Sequence, residues 1–126
     1  MVEYVKGIAL PKKHLPLSDK MLELVAHRFR IMGDATRLRI LQSLESGGKS
    51  VNQITQLLTA NQPNISKHLQ ALHHAGLLSR QREGNSIIYS VADPTIFKLC
   101  DLVCHSASET VLANYSELLE QKQKRG

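Results

Sequence analysis

The sequence has no tryptophan, only five phenylalanines and tyrosines together, and only two cysteines. So few aromatic residues argue against a base-stacking platform for single-stranded nucleic acid, and two cysteines do not make a disulfide framework. Long apolar runs are also lacking: the longest, residues 99–104, is interrupted by Asp101, so no membrane span is predicted. Lys12 and Lys13 closely follow the short apolar stretch near the N-terminus, so no signal peptide is predicted and we expect a cytoplasmic protein.

The net charge of +5 is unevenly distributed along a chain whose 126 residues suit one domain with a modest core. Residues 1–92 contain twelve lysines and arginines against six acidic residues, whereas residues 93–126 contain four against five. The basic part is expected to be drawn to polyanions such as nucleic acid, and the C-terminal part is not.

Apolar spacing and capping residues predict four helices before residue 77. Ser18, Asp34 and Ser50 have side chains that cap helix N-termini well, and each precedes apolar residues at intervals of three and four. Pro63 suits the first turn of the fourth helix, because the N–H that proline lacks is not needed there. The third helix is expected to bury Val51, Ile54, Leu57 and Leu58.

The period of the apolar residues changes after Gly76. Residues 87–91 alternate as a strand does, and a Gly84-Asn85 turn joins them to a preceding strand. Residues 1–17, which contain two prolines, are predicted to form an irregular arm. The expected fold is therefore mainly α with a small β-hairpin, in the order ααααββα, and its domain covers residues 18–120.

The last predicted helix covers residues 93–120, with a frayed tail at residues 121–126. About 27 helical residues would extend for about 40 Å, which is more than a small core can cover. The excess apolar face needs a partner, and a copy of the same helix in a symmetric dimer is the simplest one. The predicted dimer seam is formed by Ile96, Val103, Ala107 and Val111.

The third and fourth helices, with their tight connection, form a helix-turn-helix, and the hairpin forms a wing. Polar side chains near the start of the fourth helix lie off its apolar stripe, where amides can address base edges and Lys or Ser can reach phosphates. The N-terminus of the helix also favours phosphate. The alternative is a face that is merely solvated. The candidate DNA-binding residues of this helix are Gln62, Asn64, Ser66, Lys67, His68 and Gln70.

The wing adds Arg80, Arg82 and Asn85 to the candidate DNA-binding residues. The two arginines can contact phosphates or a narrow minor groove, and plain surface solubility is the alternative. For Arg37 and Arg39, early in the second helix, a contact with the DNA backbone and a salt bridge on the helix surface both remain open.

Two segments of the chain resemble the ArsR/SmtB family of winged helix-turn-helix repressors. FRIMGDATRLRIL, at residues 29–41, resembles the opening of the family's second helix. QPNISKHLQAL, at residues 62–72, is a second match and is followed by Ala75-Gly76-Leu77-Leu78. The resemblance covers residues 21–92. It implies a homodimer that blocks double-stranded promoter DNA and is released when it senses a metal ion or a redox signal.

The chain departs from this family in its effector site. The third-helix Cys-x-Cys of the arsenic- and cadmium-type sensors is absent from residues 52–57, and the fourth-helix cysteine is absent as well. The two cysteines, Cys100 and Cys104, lie one turn apart on the apolar face of the last helix. In a dimer four thiols can converge, which suits As(III), Zn²⁺, Cd²⁺, Cu⁺ or a reactive sulfur species. The alternative is that both are small buried hydrophobic residues at the seam.

Asp101, His105 and Glu109 form a second candidate metal site, each four residues from the next. They are similar to the last-helix Zn²⁺ sites of the family, which use His and carboxylates between subunits, although the family's spacing is not reproduced. A solvated acidic face is the alternative.

Other classes of function find less support. Cys104 and His105 point about 100° apart on a helix, so they cannot form a nucleophile–base pair, and the chain has no phosphate loop or nucleophile elbow. We therefore expect no enzyme activity. A winged-helix regulator or protein-interaction module without metal or redox sensing stays as the alternative.

Overall fold

Among the residues that the structure describes, four helices precede the wing and one long helix follows it, so the predicted order of the helices and the wing hairpin is confirmed. The computed structural model describes residues 2–5, 8–11 and 17–125. The chain divides into two units, Met1–Pro94 and Thr95–Gly126. The helices are α1 (Asp19–Met32), α2 (Ala35–Ser43), α3 (Val51–Leu58), α4 (Gln62–His74) and α5 (Thr95–Arg125). The strands are β1 (Val2–Val5), β2 (Ile8–Pro11), β3 (Lys49–Ser50), β4 (Leu78–Glu83) and β5 (Ser86–Val91).

Side-chain caps start the first four helices. The predicted caps Ser18, Asp34 and Ser50 are confirmed, because each accepts a hydrogen bond from the backbone N–H three residues later. Ser50 also forms a capping box, in which Gln53 accepts from the backbone N–H of Ser50 at 2.8 Å. Asn61 caps α4 in the same way, a role that the sequence analysis did not assign.

The core of the first unit lies between α2, α3, α4 and the small sheet. The sheet has the strand order β3-β5-β4, with antiparallel neighbours. The apolar stripe of α4, which consists of Ile65, Leu69 and Leu72, is completely buried, so the opposite face of this helix is the one exposed to solvent. The fully buried side chains are Ile40, Leu41, Ile54, Ile65, Leu69 and Leu72.

Gly48 brings the chain close to β5. A Cβ atom at this position would lie 2.6 Å from Ser90 Oγ and 2.8 Å from Ile88 Cγ2, too close for unstrained contact. We expect Gly48→Ala to lower the free energy of unfolding by about 1–3 kcal/mol, as overpacking does. Urea unfolding followed by circular dichroism measures the change. In a Ser90→Ala background, Gly48→Ala should lower the free energy of unfolding by less than it does in the wild type, because the serine oxygen is then absent. A Gly48→Ala variant as stable as the wild type would contradict the prediction.

Two expectations about strands are corrected. The predicted irregular arm contains an antiparallel hairpin, with Val2 opposite Pro11 and Val5 opposite Ile8. Its strands are rich in β-branched and aromatic residues, which outweigh a proline at a strand end. The wing sheet also has a third strand, β3, whose two residues are too few to show alternation. The rest of the predicted arm, residues 1, 6–7 and 12–16, and residue 126 of the predicted tail lie outside the described residues.

Several apolar side chains are not covered by the rest of the chain. Leu22 and Phe29 of α1 are 48% and 55% exposed, although α1 has the predicted helical spacing. Leu57 was predicted to be buried and is 58% exposed. Ile54 and Leu58, four residues apart, take the inner side of the short α3, and Leu57 lies about 100° from Leu58.

The second unit is α5, which is longer than predicted. It has 31 residues and includes residues 121–125, which the sequence analysis assigned to the tail. These residues are glutamines, lysines and an arginine, which form helices readily, and positive charge suits a helix C-terminus. Among the described residues, no helix has the length and apolarity that a membrane crossing needs.

Candidate nucleic-acid interface

The connection between α3 and α4 is short, and two of its residues, Thr59 and Asn61, allow the chain to turn from one helix into the next. Thr59 has a left-handed backbone conformation, with φ 49°. Asn61 then caps α4, its side-chain oxygen accepting from the backbone N–H of Asn64 at 3.1 Å. The two helices therefore follow each other directly, as a helix-turn-helix requires.

The outer face of α4 carries the polar residues that the sequence analysis selected. Gln62, Asn64, Lys67 and Gln70 are exposed, whereas Ser66 and His68 are half-buried. The N-terminal turn adds a partial positive charge from its backbone N–H groups. This surface offers amide donors and acceptors beside a cation, which is the chemistry that reads base edges and contacts phosphates.

His68 and Arg37 contact each other, which the sequence analysis did not predict. Arg37 Nε donates to His68 Nδ1 at 3.1 Å, and Arg37 Nη1 donates to the carbonyl oxygen of Ile31 at 3.0 Å. The hydrogen bond from the backbone N–H of Arg37 lowers the pKa of Asp34, so this cap is ionised at neutral pH. A separation of 31 residues between Arg37 and His68 leaves no local sequence signal for their contact.

The wing presents two exposed arginines on one face of β4. Arg80 and Arg82 are two residues apart and lie opposite Tyr89 and Ile87 of β5. Gly84 has φ 60° at the first position of a two-residue turn, which suits a right-twisted hairpin. Arg82 Nε donates to the carbonyl oxygen of Gly84 at 3.2 Å, so this arginine is held beside the turn.

Asn85, the other predicted wing residue, is exposed in the same turn. The structure therefore brings Arg80, Arg82 and Asn85 together in the wing, and the six predicted residues of α4 together on one helix.

The two cysteines of α5 are free thiols one turn apart. Cys104 is exposed and Cys100 is half-buried. Partial burial raises the pKa of Cys100, and the neighbouring Cys104 and Asp101 raise it further. Because the thiolate is the metal-binding and nucleophilic form, Cys100 is less reactive at neutral pH than an ordinary cysteine.

The acidic and imidazole candidates on α5 are only partly brought together. His105 Nε2 lies 3.1 Å from Glu109 Oε1, and both side chains are exposed. In the described part of the chain, no group of three His, Cys, Asp or Glu side chains is placed to hold a metal ion. A metal site built from Asp101, His105 and Glu109 would need ligands from another chain.

The predicted seam residues of α5 are mostly uncovered in the single chain. Val103 is 60% exposed and Val111 is 64% exposed. Ala107 is exposed as well, and Ile96 is half-buried. Further along α5, Leu112, Tyr115 and Leu118 are each more than half exposed. So much contiguous apolar surface is typical of a protein interface.

Comparison with known proteins identifies relatives of this arrangement. The family described as "Bacterial regulatory protein, arsR family" matches residues 34–80. The transcriptional regulator KmtR of Mycobacterium tuberculosis is 34% identical over 84 residues, which are 67% of this chain and 65% of KmtR. The "Probable mercury resistance operon repressor" of Streptomyces lividans is 33% identical over 88 residues, 70% of each chain.

A solved structure has the same fold. The homodimeric winged helix-turn-helix DNA-binding domain of Mb0332 from Mycobacterium bovis superposes with a TM-score of 0.66 at 31% identity. The match covers 76% of this chain and 92% of that domain.

Proposed function

This chain belongs to the ArsR/SmtB family of winged helix-turn-helix transcriptional regulators, which bind DNA and are not enzymes, and on that premise we propose that it is a repressor whose release from its operator is controlled through α5. The observation that carries the proposal is the exposed polar face of α4 above a fully buried apolar stripe. This face fits the major groove of double-stranded DNA, and the arginines of the wing fit the flanking backbone. A protein with this role works where the DNA is, in the cytoplasm.

We assign the uncovered apolar surface of the protein to the homodimer. The related domain of Mb0332 is homodimeric, and α5 exposes Val103, Val111 and Leu112 along most of its length. A second copy of the same helix would cover this surface in a symmetric, self-complementary contact. Two recognition helices would then read two half-sites of one operator.

The signal is proposed to reach the protein at Cys100 and Cys104. Their sulfurs share one side of α5, and two copies supply four thiols, a ligand set that soft ions prefer. A relative named for mercury resistance supports a thiol-binding metal or metalloid. Cys100 and Cys104 of the two chains would hold such an ion, and a changed crossing of the two α5 helices would alter the distance between the recognition helices. A shift of a few ångströms is enough to misalign two half-sites.

Fluorescence anisotropy on DNA from upstream of the protein's own gene tests the proposal. The preformed complex is challenged with arsenite, Hg²⁺, Zn²⁺, Cd²⁺, Cu⁺ and a persulfide donor. We expect at least one agent to release the wild type, and Cys100→Ser/Cys104→Ser to stay bound at the same agent concentration. The coupling is reciprocal, so DNA should weaken binding of the active agent by the same factor.

His105→Gln/Glu109→Gln serves as the matched control, because it removes the other candidate ligands from the same helix. Release of this variant together with the wild type supports the thiols. Loss of release in this variant alone would move the sensor to Asp101, His105 and Glu109. If no agent releases the wild type, the result contradicts the proposed thiol sensor and favours a winged-helix regulator without metal or redox sensing.

A further inference from the structure

Arg37 connects the last turn of α1 with the middle of α4. Its Nη1 donates to the carbonyl oxygen of Ile31 at 3.0 Å, and its Nε donates to His68 Nδ1 at 3.1 Å. Its own backbone N–H is held by the carboxylate of Asp34 at 3.1 Å. A guanidinium is a rigid plane, so two hydrogen bonds from one guanidinium fix its position relative to both partners.

This contact determines which nitrogen of His68 carries the proton. A guanidinium has only donors and stays protonated, so His68 Nδ1 must be the acceptor. A neutral imidazole then carries its one proton on Nε2. His68 is half-buried, and its Nε2 has no hydrogen-bond partner among the described residues. Nε2 is not fully buried either, because in this part of the chain His73 Nδ1 is the one fully buried side-chain nitrogen or oxygen that lacks a partner. His68 therefore offers one N–H donor, on the side of the ring away from Arg37.

The available donor of His68 lies on the helix that the proposed function places against DNA. His68 follows Lys67 and is four residues after Asn64, so it shares a face with Asn64. We propose that Arg37 is a positioning residue for DNA binding: it holds the ring of His68 so that Nε2–H donates to a hydrogen-bond acceptor on the DNA. The inference rests on the proposed function, because it requires α4 to lie against DNA.

Two other roles for Arg37 give different results. If Arg37 contacted a phosphate itself, its neutralisation would reduce the salt dependence of binding by about one unit of slope, and lysine would restore it. If Arg37 only supported the fold, its loss would lower the thermal midpoint, and His68→Asn would bind DNA like the wild type. A positioning role predicts a change of tautomer together with weaker binding at an unchanged salt slope.

The variants Arg37→Met, Arg37→Lys and His68→Asn test the proposal in the full chain. Operator affinity is measured by anisotropy at several salt concentrations, and ¹⁵N NMR of labelled histidine reports the tautomer, with His68→Asn assigning the signal. We expect each variant to bind DNA about threefold to tenfold more weakly, as loss of one hydrogen bond does. The salt slope should not change, and Arg37→Met/His68→Asn should bind no more weakly than either single variant.

Matched controls complete the experiment. Arg39→Met removes an exposed arginine two residues further along α2 and should leave the ¹⁵N signals of His68 unchanged. A loss that is equal on operator and scrambled DNA identifies the acceptor as a phosphate oxygen, whereas a loss on the operator alone identifies a base. Either result agrees with the proposal.

The proposal is overturned if the wild type carries the proton of His68 on Nδ1, or if Arg37→Lys restores full affinity. It is also overturned if Arg37→Met binds operator DNA like the wild type while Lys67→Ala binds more weakly, and the proposed function then stands. A wild type with no affinity for the operator would instead remove the proposed function, and thermal midpoints identify any variant that fails to fold.

Discussion

Val103→Glu/Val111→Glu is expected to convert the homodimer into a monomer and to weaken operator binding by about 100-fold or more. Both valines are largely exposed in the single chain, at 60% and 64%. In the proposed seam each glutamate would lie against α5 of the other copy, unpaired and desolvated. A monomer reads one half-site, so the gain from holding two recognition helices together is lost.

Sedimentation velocity measures the mass of the particle, and anisotropy on the operator measures its affinity. Ser116→Glu/Gln123→Glu is the matched control, because it adds the same charge at exposed polar positions of α5. These positions lie about 120° or more around the helix from both valines. The control should stay dimeric and keep most of its affinity. A dimeric Val103→Glu/Val111→Glu protein would place the seam elsewhere, and the exposed apolar residues of α1 would be the next surface to test.

The helix-turn-helix could be predicted from the sequence because its signals are local. Caps such as Ser50 and Asp34 lie three residues from the N–H groups that they accept from. The stripe of Ile65 and Leu69 follows the helical period, and complete burial of the stripe leaves the polar residues outside. The Gly84-Asn85 turn is likewise a local signal, because this pair of residues favours a two-residue hairpin turn. Periodicity and capping are properties of neighbouring residues, so one sequence is enough to read them.

The features that were missed depend on contacts between distant parts of the chain or between chains. Arg37 reaches a histidine 31 positions away, and no spacing rule predicts that contact. Strand β3 has two residues and exists because β5 offers its free edge. Conversely, the exposed apolar residues of α1, such as Phe29 at 55%, were correctly read as helical. Their spacing shows which face is apolar, and it does not show whether the same chain or another copy covers that face.

Gln62→Ala and Asn64→Ala are expected to change which operator bases the protein prefers, by about 1–3 kcal/mol for each lost base contact. Both side chains are exposed on the first turn of α4. Neither change should weaken the helix. Alanine is the best helix former, and the cap at Asn61 uses the backbone N–H of Asn64, which the substitution keeps. The affinity for each single-base variant of the operator measures the preference.

Lys67→Ala separates base reading from attraction to the phosphate backbone. Lys67 is exposed on the same helix, and an ammonium that meets a phosphate releases a counterion from the DNA. Its loss should therefore weaken binding to operator and scrambled DNA alike and reduce the salt slope by about one unit. Arg82→Ala should do the same from the wing, where the hydrogen bond to Gly84 already holds the side chain. Base preferences unchanged in both amide variants would show that base reading lies elsewhere on α4, in the wing or in the shape of the DNA.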